Sequence, residues 1–388
     1  MSRIVLLALV GLALWPSARG STVVGSGRFP WSTAAANTFL RRFPNPDDIH
    51  WVGDQNHFSW QAGYTMFTME KMWRLTGDVR YFNYVRRYVD QQVDEAGNVA
   101  GFSPVALDNF LPGYAILFMY EQTKLPRYRI AATRIREGFR AYSRNADGSF
   151  WHGDWAPHQL WVDGVFMGEM FRARYASVLD HEAGAFDEVV RQMKLAAGHC
   201  LKPNGLLLHG WDESRSAQWA DPKTGLAPEV WSEGLGWYAV LLADVFDFLP
   251  KDHPDREYLL SVLRNLCAGL KRVQDSRTGM WCQVVDKPGG AGNWNETSGT
   301  GMFLYLIQRS IDLGFVNEAE YSPVVARGYA GLIRKVRPAA DGLIDIPDCS
   351  SIGIQTSYQA YISSPRELNT FAGVTSFILG TSVVEKAQ

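Results

Sequence analysis

Four acidic residues each stand just ahead of an apolar run that contains glycine, and carboxyl groups in that setting could exchange protons with a substrate. They are Asp108 before FLPGYAILF, Asp163 before GVFMGEMF, Glu233 before GLGWYAV and Glu296 before TSGTGMF. Any one of them is most simply a helix N-cap or a favourable charge at a helix N-terminus. If the fold brings them together, they form a site for acid–base chemistry.

Aromatic side chains crowd the segment around Asp163, which reads WHGDWAPHQLWVDGVFMGEM over residues 151–170. Aromatic residues make up 13% of the chain, and 14 of its residues are tryptophan. The flat apolar face and polar edge of an indole suit the alternating C–H and O–H groups of a sugar, although buried helix packing uses the same residues. The composition therefore indicates either a carbohydrate site or an aromatic core.

The elements that must position these residues are helices. Apolar residues recur at intervals of three and four along eleven segments, and a further helix is expected within residues 30–43. The eleven segments are 58–75, 79–93, 110–120, 128–142, 165–179, 186–200, 235–249, 258–273, 302–313, 319–336 and 368–384. Alternation at the period of a strand is scarce, so the sequence predicts an all-α fold of about twelve helices.

A glycine-bearing turn follows every second predicted helix. The turns contain Gly97, Gly148, Gly205, Gly279 and Gly342. Two helices with their loops fill each interval, and the short link within each pair makes the paired helices antiparallel neighbours. Six such hairpins whose inner helices close a ring form an (α/α)6 barrel, although an open solenoid has the same repeat. In a ring, the inner helices all start at one end, and their first turns surround one cavity.

The four acidic residues then converge on the rim of that cavity. His152 and residues 209–213 lie in the loops above it, and several tryptophans are close in sequence. This combination predicts a carbohydrate-processing site. The sequence has no motif of a zinc protease, a phosphate-binding loop or a serine-hydrolase elbow, so we expect neither a metal nor another cofactor.

The N-terminus predicts export. Arg3 precedes an apolar run that ends in small residues, which is typical of a secretory signal peptide over residues 1–20, followed by a single domain over residues 21–388. We therefore expect a secreted or periplasmic protein. The net charge of −2 comes without a cluster of Lys or Arg, and no later segment approaches the length of a membrane span. We expect neither a nucleic acid nor a membrane as a partner.

Four sequence blocks, in order, resemble those of the unsaturated glycuronyl hydrolases, glycoside hydrolase families 88 and 105. The blocks are FWHGDWAPHQLWVDGVFMGE, LLLHGWDES, WSEGLGWYAVLLADVFDFLP and NETSGTGMFLYLIQRSIDLG. HGWDES and GLGWY make family 105, which contains the unsaturated rhamnogalacturonyl hydrolases, the nearer match, and the resemblance spans residues 60–387. It implies an (α/α)6 barrel, in agreement with the repeat.

The resemblance implies an unusual reaction on oligosaccharides that polysaccharide lyases release from acidic polysaccharides. A carboxylic acid protonates C4 of the C4=C5 double bond in the terminal uronate, water adds at C5, and the resulting hemiketal opens and releases the remaining sugar. The Asp of the family motif WVDG is the acid, here Asp163, and Asp108 matches the carboxylate that holds the substrate and assists. A helix N-terminus lowers the pKa of a carboxyl, whereas a second carboxylate in a dry aromatic pocket raises it.

The resemblance and the surrounding pattern also supply residues that we expect to contact the substrate. They are His152, Trp161, Met167, His209, Trp211, Trp231, Glu233 and Trp237. For the two histidines, the alternative is a core imidazole bonded to the backbone. For the tryptophans, the alternative is helix packing.

Two positions depart from the family pattern. The family usually reads WARGNGW where this chain reads WSEGLGW, so Glu233 stands in place of an Arg that suits a sugar carboxylate. Gly153 stands where the family tends to have Lys. Arg215 could supply the missing cation from a loop. We expect the same reaction on a different linkage or aglycone.

Two other functions fit the same residues. The first is a conventional inverting glycosidase, in which two carboxylates about 6.5–9.5 Å apart activate a water and a saturated glycoside. The second is a carbohydrate-binding barrel without catalysis, in which Glu233 and Gly153 mark a lost active site. The presence of both Asp108 and Asp163 argues against a pure binder, because binding alone does not require a proton donor.

Overall fold

The computed structural model describes residues 30–50, 56–180 and 184–388, and most of these residues belong to thirteen α-helices. The predicted signal peptide, residues 1–20, lies outside the described residues. Six helices are buried nearly all round: α2 (Trp60–Thr76), α4 (Gly113–Thr123), α6 (Val162–Val178), α8 (Ser232–Asp244), α10 (Thr297–Asp312) and α13 (Phe371–Ala387). Six surround them: α1 (Pro30–Arg42), α3 (Val79–Gln92), α5 (Pro126–Glu137), α7 (Asp187–Cys200), α9 (Arg256–Val273) and α11 (Glu318–Lys335).

The six buried helices close a ring. Each packs against the next in chain order, and α13 packs against α2. Each also packs against the outer helix of its own hairpin, so that six antiparallel hairpins surround one axis. Ring closure confirms the predicted (α/α)6 barrel and excludes the open solenoid. One short helix, α12 (Tyr358–Ile362), was not predicted and lies in the loop before α13.

The first helix completes the last hairpin. Helix α1 packs on the outside of α13, although the two are at opposite ends of the chain. Glu385, near the end of α13, accepts hydrogen bonds from the Trp31 N–H at 2.9 Å and the Ser32 hydroxyl at 2.6 Å. An acidic side chain at a helix N-terminus satisfies free N–H groups there. The ring is therefore closed by polar contacts as well as by apolar packing.

Each predicted glycine turn has left-handed backbone. Gly97, Gly148, Gly205, Gly279 and Gly342 have φ between 72° and 89°, a conformation that costs glycine little. In four of the five turns the glycine N–H closes the turn on the carbonyl of the residue three before it. The chain thereby leaves each outer helix and returns to the mouth of the barrel.

Short antiparallel strand pairs join the loops at the mouth. They are β1 (Gln159–Trp161) with β2 (Gly210–Asp212), β3 (Trp281–Cys282) with β4 (Asn295–Glu296), and β5 (Arg337–Pro338) with β6 (Ile344–Asp345). No helix among the described residues is both long enough and apolar enough to cross a membrane.

Helices α10 and α13 approach each other at glycines. A Cβ atom on Gly301 would overlap the carbonyl oxygen of Ser376, and one on Gly380 would overlap the carbonyl oxygen of Gly301. The two backbones therefore touch without side chains between them. In α7, by contrast, a Cβ atom on Gly198 would meet no heavy atom within 4 Å.

These two helix glycines make a matched pair for testing the ring. Gly301→Ala should destabilise the protein by about 1–3 kcal/mol, because the added methyl group forces α10 and α13 apart. Gly198→Ala should stabilise it by about 0.5–1 kcal/mol, because alanine loses less backbone entropy in a helix. Urea unfolding of both variants measures the change in unfolding free energy. Equal effects of the same sign would contradict the close backbone contact.

Candidate active site

Four inner-helix segments start with the same hydrogen bond. The N–H of the first residue in each segment donates to a carbonyl in the loop that leads to the next inner helix. The pairs are Leu107 to His152 at 2.9 Å, Val162 to His209 at 2.8 Å, Ser232 to Gln283 at 2.9 Å and Thr297 to Asp348 at 3.0 Å. The residues one position later are Asp108, Asp163, Glu233 and Ser298. This register therefore places three acidic side chains and one serine at equivalent points around the mouth.

The acidic residues differ in how they meet their helices. Asp163 and Glu233 are the second residues of α6 and α8, so neither is the N-cap that the sequence suggested for Asp163. Asp163 Oδ1 instead accepts the N–H of Gly164 at 2.8 Å. Asp108 lies in a short 3₁₀ turn, Leu107–Asn109, ahead of α4. Glu296 is a true N-cap of α10, since it accepts from the N–H groups of the second and third helical residues.

Two histidines alternate with two carboxyl groups in a row. His152 lies between them, with Nε2 3.6 Å from Asp108 Oδ1 and Nδ1 3.7 Å from Asp163 Oδ1. His209 Nε2 lies 3.6 Å from the same Asp163 oxygen. Both imidazoles fit because glycine follows the acid in each helix: a Cβ atom on Gly164 would overlap His152, and one on Gly234 would overlap His209. The pattern acid–Gly at these helix starts thus makes room for the imidazoles.

Burial decides which of these groups are charged. It raises the pKa of Asp108 to about 7. It raises the pKa of Asp163 to about 8, with a further contribution from the charge of Asp108, against the hydrogen bond from Gly164 that lowers it. Burial also lowers the pKa of His152 and of His209 to about 3. At neutral pH the row therefore has neutral imidazoles and a pair of carboxyl groups that retains a proton.

A cavity of about 310 Å³ opens above this row. Its walls contain both predicted catalytic residues and most of the predicted contact residues. The predicted residues on the walls are Asp108, His152, Trp161, Asp163, Met167, Trp231, Glu233 and Trp237. Glu296 lies behind Glu233, fully buried.

Three residues from the sequence analysis lie elsewhere. His209 is buried behind Asp163 and does not line the cavity, although it contacts the carboxyl. Trp211 pairs with Leu160 on the neighbouring strand, and the pleat directs it away from the face of Trp161. Its indole stacks on His199, with ring centroids 3.6 Å apart.

Arg215 is exposed and is not part of the walls, so it does not supply the missing cation there.

Five residues on the walls were not predicted as contacts. They are Trp60, Trp155, Ser351, Ile352 and Gly353. Trp155 is 60% exposed and lies edge-on to Trp161, which makes it an aromatic surface at the entrance. Trp60 is the first residue of α2, so its place in the repeat was the signal that could have found it. The other three come from the long loop before α13 and have no titratable side chain.

A second, larger cavity of about 610 Å³ adjoins the first. The two share Trp60, Glu233, Ser351 and Ile352 as walls. Gln61 also lines it, and neither amide atom of this buried side chain has a hydrogen-bond partner among the described residues. The site is therefore a double chamber with polar groups free to bind hydroxyl groups.

The two cavities have no Lys or Arg on their described walls. Acidic residues line both, with Asp48 and Glu367 in the larger one. No group of three or more His, Cys, Asp or Glu side chains among the described residues is arranged to hold a metal ion. The residues that are present offer proton transfer, neutral hydrogen bonds and aromatic stacking.

Comparison with known proteins identifies the family. The family model of Glycosyl Hydrolase Family 88 matches residues 31–388. A family 105 glycoside hydrolase from C. acetobutylicum ATCC 824 has a similar structure, with a TM-score of 0.83 and 29% identity over 92% of this chain and 99% of that one. Protein Atu3128 of Agrobacterium fabrum is 34% identical over 166 residues, 43% of this chain and 70% of that protein. The unsaturated rhamnogalacturonyl hydrolase YesR of Bacillus subtilis is 23% identical over 243 residues, 60% of this chain and 65% of that protein.

The family match covers nearly the whole described chain, and the structural match covers both proteins almost completely. Both agree with the family that the four sequence blocks indicated, and the barrel and its cavity have the expected architecture. The chain therefore belongs to Glycosyl Hydrolase Family 88, is similar to the hydrolases of family 105, and is a glycoside hydrolase.

Proposed function

We propose that this enzyme removes an unsaturated uronic acid from the non-reducing end of oligosaccharides released by polysaccharide lyases. The observation that carries the proposal is the Asp108–Asp163 pair, in which burial raises the pKa of Asp163 to about 8. A carboxyl group with that pKa is still protonated at neutral pH and can act as an acid. The names of related proteins, such as the unsaturated rhamnogalacturonyl hydrolase YesR, support this substrate class.

The reaction is a hydration of the C4=C5 double bond. Asp163 transfers its proton to C4, the π electrons form the new C4–H bond, and positive charge develops at C5 and the ring oxygen. Water then adds at C5 and returns a proton to Asp163. The resulting hemiketal opens to a C5 ketone and leaves a hemiacetal at C1, which releases the remaining sugar as an alcohol.

The residues around Asp163 have separate tasks in this scheme. Asp108, once ionised, lies where its negative charge stabilises the positive charge that develops on the sugar ring. His152, neutral because burial lowers the pKa of its imidazole to about 3, lies 3.6–3.7 Å from both carboxyl groups and forms no ion pair that would hold them as anions. His209 supports Asp163 from behind. The acid thus stays protonated until substrate arrives.

The double chamber suggests how an oligosaccharide lies. The terminal uronate would occupy the smaller cavity, which contains Asp163, between the aromatic walls formed by Trp161 and Trp237. The next sugar would pass Trp60 and Glu233 into the larger cavity. The acidic residues on the walls of the larger cavity favour an uncharged sugar there, because they repel the carboxylate of a second uronate.

The first test is turnover of unsaturated oligosaccharides. Asp163→Asn should lower the turnover rate by at least about 100-fold, since a positioned general acid contributes about 10²–10⁴-fold. Asp108→Asn should also lose most activity. The assay follows the loss of ultraviolet absorbance as the enol ether is hydrated, on lyase products of several acidic polysaccharides. Asp252→Asn, at an exposed position outside the cavity, is the matched control and should keep the wild-type rate.

The same assay separates the proposed reaction from its rivals. A conventional glycosidase would release sugar from a saturated glycoside and leave the enol ether absorbance of an unsaturated one intact. A binding protein would release nothing at saturating enzyme. A near-wild-type rate for Asp163→Asn would refute the role of this carboxyl.

The second test uses the effect of pH on stability. The pKa of Asp163 is about 8 in the folded protein, whereas an unfolded Asp titrates near 4. Between these values the folded state holds a proton that the unfolded state lacks, so this group makes the protein less stable as pH rises. Asp163→Asn removes this pH-dependent loss of stability, so the variant should have a higher unfolding free energy than wild type. The difference should be small near pH 4 and largest above about pH 8. Denaturant unfolding across this range measures the gain.

The control in this experiment is again Asp252→Asn. Its side chain is exposed, so the substitution changes no buried carboxyl group and should alter the unfolding free energy by less than about 0.5 kcal/mol. An Asp163→Asn gain that is the same near pH 4 and near pH 8 would show that the carboxyl is ionised in the folded enzyme.

A further inference from the structure

Two buried carboxyl groups meet at one serine hydroxyl beside the cavity. Ser298 Oγ lies 2.8 Å from Glu233 Oε2 and also forms a short hydrogen bond with Glu296 Oε1. A serine hydroxyl has one proton and can donate to only one of these oxygens. Unless the other carboxyl group is itself protonated, a lone pair of its oxygen faces a lone pair of the serine oxygen. In a buried site this contact costs free energy.

The remaining hydrogen bonds show which carboxyl holds that proton. Glu296 accepts the backbone N–H groups of Ser298 at 2.7 Å, Gly299 at 2.6 Å and Ser350 at 3.1 Å, at the N-terminus of α10. All three donors stabilise its anion. Glu233 accepts no backbone N–H among the described residues, and its one hydrogen bond there is with the Ser298 side chain. The anion therefore belongs on Glu296 and the proton on Glu233.

The groups around Glu233 favour the same assignment. Glu296 faces it from the N-cap position of α10, and Asp163 faces it from α6. The Tyr64 hydroxyl lies on α2, and the Cys349 thiol lies in the last loop. None of these groups can carry a positive charge. Burial and the negative charge of Glu296 both raise the pKa of Glu233 well above its ordinary value.

We propose that Glu233 works as a neutral carboxylic acid, which donates from Oε2 to Ser298 and presents Oε1 to the cavity as an acceptor for a hydroxyl group of the substrate. Glu233 lines both chambers, so the hydroxyl group lies where the terminal uronate meets the next sugar. The substrate part of this inference rests on the proposed function. The protonation state does not.

The consequence concerns how the site recognises its substrate. An ionised glutamate at position 233 would repel the carboxylate of a uronate, whereas a neutral acid does not. Glu233 therefore recognises a hydroxyl group through a hydrogen bond between neutral groups. Ser298 is the positioning residue, since its hydroxyl accepts a hydrogen bond from the protonated Glu233 and donates one to the ionised Glu296.

Infrared difference spectroscopy tests the protonation state without substrate. The spectrum of wild type minus Glu233→Gln near neutral pH should contain the C=O stretch of a protonated carboxyl. Glu229→Gln is the matched control, because Glu229 is also buried but forms an ion pair with Lys287 at 2.6 Å. Its difference spectrum should contain carboxylate bands and no C=O stretch of a protonated carboxyl. Carboxylate bands for Glu233→Gln as well would overturn the proposal.

Kinetics on an unsaturated oligosaccharide test the substrate contact. Glu233→Ala should raise KM by about 2- to 10-fold, as expected for the loss of one hydrogen bond between neutral groups. Glu233→Gln should recover most of that loss, because its amide can donate to Ser298 and accept from a hydroxyl group in the same way. A Gln variant as poor as the Ala variant would mean that a negative charge is needed, as for a cationic sugar, and would overturn the substrate contact. The infrared result stands even if no unsaturated substrate is turned over.

Discussion

One backbone hydrogen bond, repeated at the starts of three inner helices and at the 3₁₀ turn ahead of a fourth, fixes the positions of the chemical groups. The donor is the N–H of the first residue, and the acceptor is a carbonyl in the loop that leads to the next inner helix. Free N–H groups at a helix start must be satisfied, and in this ring the following repeat supplies the acceptor. Asp108, Asp163 and Glu233 each follow their donor by one residue, and two of the acceptor residues are His152 and His209. The alternating row of carboxyl and imidazole groups is therefore a product of the fold.

The same arrangement sets two electrostatic effects against each other. A helix N-terminus favours an ionised carboxyl, and Asp163 does accept an N–H of its own first turn. Burial in an aromatic cavity and the neighbouring Asp108 favour the protonated form, and they prevail, since the pKa of Asp163 is raised. At Glu296 burial again raises the pKa, although backbone donors surround the carboxyl and partly offset that effect. The pKa of each acid in the ring is thus set by its burial and by the donors that it receives.

The sequence predicted the parts of the fold that have local signals. Each glycine turn was visible because its backbone requires positive φ, and the helices were visible from their apolar periodicity. The start of α6 could not be predicted in this way. A tertiary hydrogen bond to His209 begins the helix before Asp163 and overrides the preference of Asp for an N-cap. Trp211 was assigned to the site by residue type, but strand parity directs it away from Trp161. Ser351, Ile352 and Gly353 reach the cavity from the loop before α13, and no local pattern records that, whereas Trp60 had a signal in its place at the start of α2.

The most direct test of the central claim, that Asp163 is a protonated acid at neutral pH, is a ¹³C NMR titration of aspartate carboxyl groups in the whole enzyme. The signal of Asp163 is assigned by its disappearance in Asp163→Asn. A midpoint near the value of about 8 that burial and Asp108 impose would support the account. A midpoint near 4, the value of an exposed Asp, would contradict it.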